Sequence, residues 1–118
     1  MFKSRRDLDY LNDVHDAIKR ALDYTDGMIW EEYLRDPKTQ DAVVRNLEVI
    51  GEATKVLSEQ IREQYPGIPW REMMGTRDRL IHHYFGINQE IVWQIVQYDL
   101  PELKIQVERL IEEFPTEE

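Results

Sequence analysis

Near the middle of the chain, the run Gly75-Thr76-Arg77-Asp78-Arg79-Leu80-Ile81-His82-His83-Tyr84-Phe85-Gly86 packs two arginines, a carboxylate, two imidazoles and a phenol into eight positions. Such residues suit proton transfer beside a bound anion. Asp78 and His82 are four apart, so on a helix the carboxylate accepts from one imidazole nitrogen and fixes its tautomer. The other nitrogen is then free to move a proton. Arg77 lies five before His82, about 140° away on an ideal helix, so one helix face does not hold both. A shared site needs a distorted helix or a second copy of the chain, because two-fold symmetry brings two Arg77 and two His82 into one composite cleft. Against this stands a structural reading: Arg79 and His83 are also four apart, and Leu80, Ile81 and Tyr84 suit the core face of an amphipathic helix. From spacing alone the structural reading is the stronger.

Other chemistry is scarce. The chain has no cysteine and three histidines, which removes disulfides, thiolate nucleophiles and cysteine metal sites. His15, in Asp13-Val14-His15-Asp16, reads as a surface histidine beside acids. His82 and His83 are adjacent, about 100° apart on a helix, and no two histidines have the spacing of three or four that a metal site needs. No metal site and no cofactor are therefore expected. Glu48 and Glu52 could pose as a carboxylate pair, but solvation or a buried ion pair with Arg45 is the better reading. Trp30, Trp70 and Trp93 could stack on bases, yet their places beside helix starts and on apolar stripes favour core anchoring.

The 118 residues suit one domain, taken as 1–118, with 42 % hydrophobic and 33 % charged residues and a net charge of −9. An acidic balance of this size argues against a non-specific grip on nucleic acid. The acidity is uneven: the last twenty residues hold seven acids and two bases, leaving the body nearer neutral. No stretch is long and apolar enough for a membrane span, and the opening Met-Phe-Lys-Ser-Arg-Arg-Asp lacks the apolar run of a secretory signal. The expectation is a soluble protein of a reducing cytoplasm with no membrane partner.

The elements that must position the central run are helices. Leu8, Leu11, Val14, Ile18 and Leu22 step by three and four along a first helix that Gly27 breaks. Ser4 with Asp7 resembles a capping-box start. Met28 to Leu34 predicts a short second helix. Asp36-Pro37 reads as an N-cap and first-turn proline of a long helix reaching about Glu63, with the stripe Val43, Leu47, Ile50, Thr54, Leu57 and Ile61. Tyr65 to Trp70 is a turn. A further helix starts near Pro69 or after Gly75 and reaches Tyr84 or Phe85, with Gly86 as its stop and Asn88 as the next N-cap. Asn88 to Phe114 is helical, and Pro101 either opens a new helix or kinks a continuous one. With no hairpin signal, the fold class is all-α, an up-and-down bundle of four to five helices.

The order Arg77, four residues, His82, one residue, Tyr84 resembles the motif of HepT-like proteins in the HEPN superfamily. Its companions resemble that family too: Asp41-Ala42-Val43 and Glu48-Val49-Ile50-Gly51-Glu52-Ala53 on the long helix, then Ile68-Pro69-Trp70, Gly75-Thr76-Arg77-Asp78 and Val92-Trp93. The likeness runs from about Asp7 to Ile111. It implies a helical bundle that forms a homodimer and acts as a metal-independent ribonuclease toxin on RNA, with tRNA a candidate target. Its implied partner is an MNT-type nucleotidyltransferase antitoxin, in a type VII toxin–antitoxin module. His82 would be the acid/base residue and Arg77 the stabiliser of the transition-state phosphate. Asp78 stands where the family often has Asn and would support the site by orienting it. Tyr84 matches a tyrosine that some members carry as O-AMP-tyrosine, a modification that silences the toxin. The alternative is a non-catalytic module that binds a nucleotidyltransferase.

Overall fold

The computed structural model describes residues 2–81 and 86–114, with side chains from residue 6 onward. Three long legs dominate: α1 (Phe2–Tyr24), α3 (Pro37–Lys55), and a continuous helix made of α7 (Gln89–Gln94), a π-helical turn (Ile95–Asp99) and α8 (Leu100–Glu113). A short α2 (Trp30–Leu34) links the first two. The fourth leg is broken into α4 (Glu59–Gln64), α5 (Trp70–Met74) and α6 (Thr76–Leu80). The all-α expectation is borne out. Among the described residues the only strand-like feature is an isolated antiparallel bridge between Ile81 and Ile87.

Side-chain ties fix the directions of the legs. Asp7 near the start of α1 meets Ser58 just past the end of α3, so these two helices are antiparallel. Tyr33, beyond the end of α1, donates to Gln89 at the start of α7, while His15 in mid-α1 bonds Glu108 of α8 at 2.8 Å. The third long leg therefore also runs against α1. The apolar stripes meet between these legs. Leu11, Val14 and Ile18 of α1 are fully buried with Ala17 and Ala21. All six stripe positions from Val43 to Ile61 are buried as well. Each large apolar side chain removed from water contributes about 1.5–3 kcal/mol.

Local signals decide where the helices stop. Gly27, at φ 76°, follows α1 as expected. Asp36 caps α3 by accepting from the Thr39 amide at 3.0 Å and its hydroxyl at 2.7 Å, and these two donors hold its carboxyl below its ordinary pKa. The long helix ends earlier than the expected Glu63. Val56 and Leu57 close its last turn on the Ala53 and Thr54 carbonyls, and Ser58 starts α4 by accepting from the Ile61 amide. Asp7 explains the break, because its carboxylate accepts from the Ser58 amide at 3.0 Å and hydroxyl at 2.7 Å. The helix start expected at Ser4 and Asp7 is corrected: α1 already runs from Phe2, and the Asp7 carboxylate serves the neighbouring leg.

Pro101 opens α8, one of the two expected readings, directly after the π turn. It sits in the first turn of α8, and the π turn before it carries the bond from the Leu100 amide to the Ile95 carbonyl, one residue longer than the α-helical pattern. The wider turn accommodates the proline ring and keeps Ile95, Val96, Leu100 and Leu103 buried.

Asp7 is 6 % exposed and bridges two legs with both oxygens. Asp7→Ala leaves the Ser58 amide without this acceptor and is expected to lower stability by about 1–3 kcal/mol in denaturant melts; an unchanged midpoint would refute the bridging role.

Candidate functional site

The central run does not form one helix. Gly75 separates α5 from α6, and α6 is a single turn whose C-cap, Ile81, is extended at φ −79° and ψ 128°. The Leu80 carbonyl accepts from the Asn88 amide at 2.8 Å. The expected extension to Tyr84 or Phe85 is therefore corrected: α6 stops at Leu80. Gly86 has φ 78°, and Asn88 caps α7 as predicted, accepting from the Ile91 amide at 3.2 Å. Of the four residues proposed for the site, Arg77 and Asp78 are described, while His82 and Tyr84 lie outside the described residues. The four-residue helical spacing no longer sets Asp78 against His82, because the helix ends between them.

What holds Arg77 in place is clear. Thr76 and Leu80, four apart on α6, are 6 % and 1 % exposed. The Thr76 hydroxyl donates to the Met73 carbonyl at 2.8 Å and lies 3.1 Å from that of Glu72. With those two side chains turned inward, the helical pitch turns Arg77, Asp78 and Arg79 outward, and all three are exposed. A close approach from α3 sets the depth: a Cβ on Gly51 would lie 3.2 Å from the Met73 carbonyl oxygen. A Cβ would be a tight fit against that backbone oxygen, so the absence of a side chain eases the seating of α5 on α3.

Arg77 and Arg79 face different spaces. Arg77 lines a cleft of about 180 Å³ with Arg45, Glu48, Gly51, Glu52, Lys55 and Met74. Arg79 lines a larger cavity of about 530 Å³ whose apolar floor includes Leu47, Ile50, Met73 and Leu103, and its guanidinium lies 3.8 Å from the Asp99 carboxylate on the π turn. The structure thus brings Arg77 to Arg45 and Lys55 of α3 and does not bring it to Arg79. Sequence reasoning missed that juxtaposition. The available signal was the spacing of Arg45, Glu48, Glu52 and Lys55, which puts a charged row on one face of α3.

The remaining candidates resolve as structural groups. Glu52 is exposed and pairs with Lys55 at 3.7 Å on the surface, so of the two expected readings solvation holds for it, and among the described residues no pair with Arg45 is formed. His15 does sit beside acids, but half-buried, tying α1 to α8 through Glu108. Glu108 also accepts from Lys104 at 2.8 Å, and these two partners, Lys104 foremost, hold its carboxyl below its ordinary pKa. Trp30, Tyr33 and Trp93 form an aromatic cluster with ring centroids 5.1 to 6.1 Å apart, clamping α2 to α7. Trp70 is buried and donates to the Tyr65 carbonyl at 2.9 Å. Core anchoring is therefore the role of the tryptophans. Burial pushes the Tyr33 hydroxyl above its ordinary pKa, with a smaller push from Asp41. Among the described residues no three metal-ligating side chains converge, and no helix is long and apolar enough to cross a membrane.

Comparisons with known proteins agree on one family. The profile of the ribonuclease HepT-like family matches residues 14–110. A protein of Methanocaldococcus jannaschii named a "Putative RNase" is 46 % identical over 109 residues, covering 92 % of this chain and 90 % of its own. A protein of Thermococcus cleftensis named "Probable ribonuclease HepT" is 45 % identical over 102 residues, covering 86 % and 93 %. A third, from Caldanaerobacter subterraneus and also named a "Putative RNase", is 38 % identical over 103 residues, covering 87 % and 92 %. No solved structure matches the chain significantly.

Thr76 offers a test of how α6 is held. Thr76→Val keeps the shape but removes the hydroxyl, and is expected to cost about 1 kcal/mol in a denaturant melt. A fully wild-type midpoint would show that the turn is held by Leu80 alone.

Proposed function

The chain belongs to the ribonuclease HepT-like family, and from that premise we propose that it is a metal-independent endoribonuclease, the toxin of a type VII HEPN/MNT module. The observation that carries this reading within the structure is the placement of the motif arginine, exposed on a buried-anchored turn and lining a cleft with two further cations.

The chemistry follows from RNA itself. Its 2′-hydroxyl is an internal nucleophile, already tethered to the phosphorus it attacks, so the enzyme need only move protons and stabilise charge. The O2′–P bond forms, the P–O5′ bond breaks, and the products are a 2′,3′-cyclic phosphate and a 5′-hydroxyl. A planar, permanently charged guanidinium suits the pentavalent phosphate, and that is the role proposed for Arg77. His82 is proposed as the acid/base residue. In a homodimer two copies converge, so one imidazole takes the 2′-hydroxyl proton while the other returns a proton to O5′. Asp78, adjacent to Arg77 on the same turn, is proposed as an orienting residue. The proposed substrate is RNA, with tRNA a candidate, and the proposed partner is an MNT-type nucleotidyltransferase that silences the toxin by making Tyr84 an O-AMP-tyrosine.

A second reading, a non-catalytic module binding the nucleotidyltransferase, draws on the net charge of −9, which a protein partner tolerates better than RNA does. RNA cleavage separates the two. Arg77→Ala and His82→Ala are each expected to lower cleavage at least 100-fold with the thermal midpoint retained, and a chelator is expected to leave the wild type unaffected. Retained cleavage in either variant would remove that residue from the mechanism, while a wild type inert on RNA but captured by the partner would favour the binding module. Incubation with the nucleotidyltransferase and ATP is expected to add one AMP to the wild type and none to Tyr84→Phe; modification of the Phe variant would exclude Tyr84 as the sole target.

A further inference from the structure

Two clefts flank α6, and their charges differ in sign. The larger sets Arg79 against Glu72, Asp99 and Glu102, a formal balance of −2. The smaller sets Arg45, Lys55 and Arg77 against Glu48 and Glu52, a balance of +1. A locally positive cleft on a chain of −9 is a departure from the rest of the surface. We propose that Arg45 and Lys55 form a phosphate track along α3 that leads single-stranded RNA past Arg77. This rests on the ribonuclease reading for its ligand class.

The geometry suits a polyanion. Arg45 and Lys55 are ten residues apart, about 15 Å along the helix axis, so they meet different phosphates of one strand. Positions 45, 48, 52 and 55 fall within an arc of about 80°, so the row faces one way. Both cations are exposed, as is Arg77. Among the described residues neither Arg45 nor Arg77 is in an ion pair, which leaves two guanidiniums free for bidentate contact with phosphate oxygens. Lys55 has only the exposed contact with Glu52 at 3.7 Å, the kind of pair a phosphate readily displaces. Gly51 and Met74 line the cleft between these charges without adding a carboxylate. The larger cavity, despite its volume, lacks the charge to hold the strand.

Binding and cleavage are measured separately. Binding uses a short single-stranded oligoribonucleotide with 2′-O-methyl groups throughout, which lacks the nucleophile and cannot be cut. The Arg45→Ala/Lys55→Ala double variant is expected to bind about tenfold more weakly and to lose about 1.4 from the slope of log affinity against log salt, about 0.7 for each lost phosphate contact. On cleavable RNA its KM rises by a similar factor while kcat stays within about twofold. Glu52→Gln is expected to tighten binding, since it removes a carboxylate from the cleft and frees Lys55. Arg109→Ala, an exposed α8 arginine outside the cleft, serves as the control for overall charge, and thermal melts confirm that each variant is folded. Unchanged affinity and slope in the double variant overturn the track, as does an equal loss in Arg109→Ala, or a wild type that binds no RNA. A wild type that binds through these residues yet cuts nothing overturns the ribonuclease reading and leaves the track standing.

Discussion

The arrangement of the site depends on one close contact, the approach of the α5 terminus to the backbone of α3 at Gly51. The Met73 carbonyl would lie 3.2 Å from any Cβ there, and that same carbonyl accepts the Thr76 hydroxyl at 2.8 Å. A single group thus measures how near α5 comes to α3 and starts the turn that follows. With α5 at this depth, Met73 enters the core, and Thr76 and Leu80 follow it inward. The charged residues between Thr76 and Leu80 have nowhere to go but outward. A side chain at position 51 would press on backbone rather than on a pliable side-chain tip, at the carbonyl that also holds Thr76.

The apolar periodicity made most of the bundle legible, because burial of a stripe outweighs weaker local preferences. It remained a poor guide to where helices stop. The stripe from Val43 to Ile61 is buried throughout, yet the helix breaks at Val56. Periodicity does not register a break across which the same face stays buried, and the cause lies in the carboxylate of Asp7, 51 residues before the Ser58 it holds. The central run misled in the same manner. Thr76 and Leu80 have helical spacing, but the bond from the Asn88 amide to the Leu80 carbonyl, together with the bridge from Ile81 to Ile87, ends the helix there. Local sequence carries the residue types of the site. Their relative placement depends on contacts between distant segments, which is why Arg77 could be singled out while the spacing of Arg45 and Lys55 showed a charged row without showing that it meets Arg77.

Pro101 shows how strongly the core constrains the third leg. A proline in a helix interior costs about 3 kcal/mol. A full break here would release Ile95, Val96, Leu100 and Leu103, each of which contributes about 1.5–3 kcal/mol when buried. The π turn lets the chain keep all four buried. It also places Asp99 near Arg79 and leaves Tyr98 77 % exposed, so the accommodation of one proline shapes the rim of the larger cavity.

That rim bears on how an acidic protein can engage RNA. Net charge sets the far field, which at physiological salt fades over about 8 Å, whereas a bound phosphate responds to the groups it touches. Seven acids and only two bases lie from Asp99 onward, and Asp99 and Glu102 stand on the α6 face that Arg79 occupies. The opposite face takes its charge from α3, where two cations join Arg77. A one-turn helix separates the two fields. Because α6 is pinned by Thr76 and Leu80, Arg77 cannot rotate toward the acidic side, and Arg79 is not available to the basic one. The negative balance of the whole chain therefore limits how broadly it attracts RNA, while the sign at the motif arginine is set by the neighbours that Gly51 allows to approach.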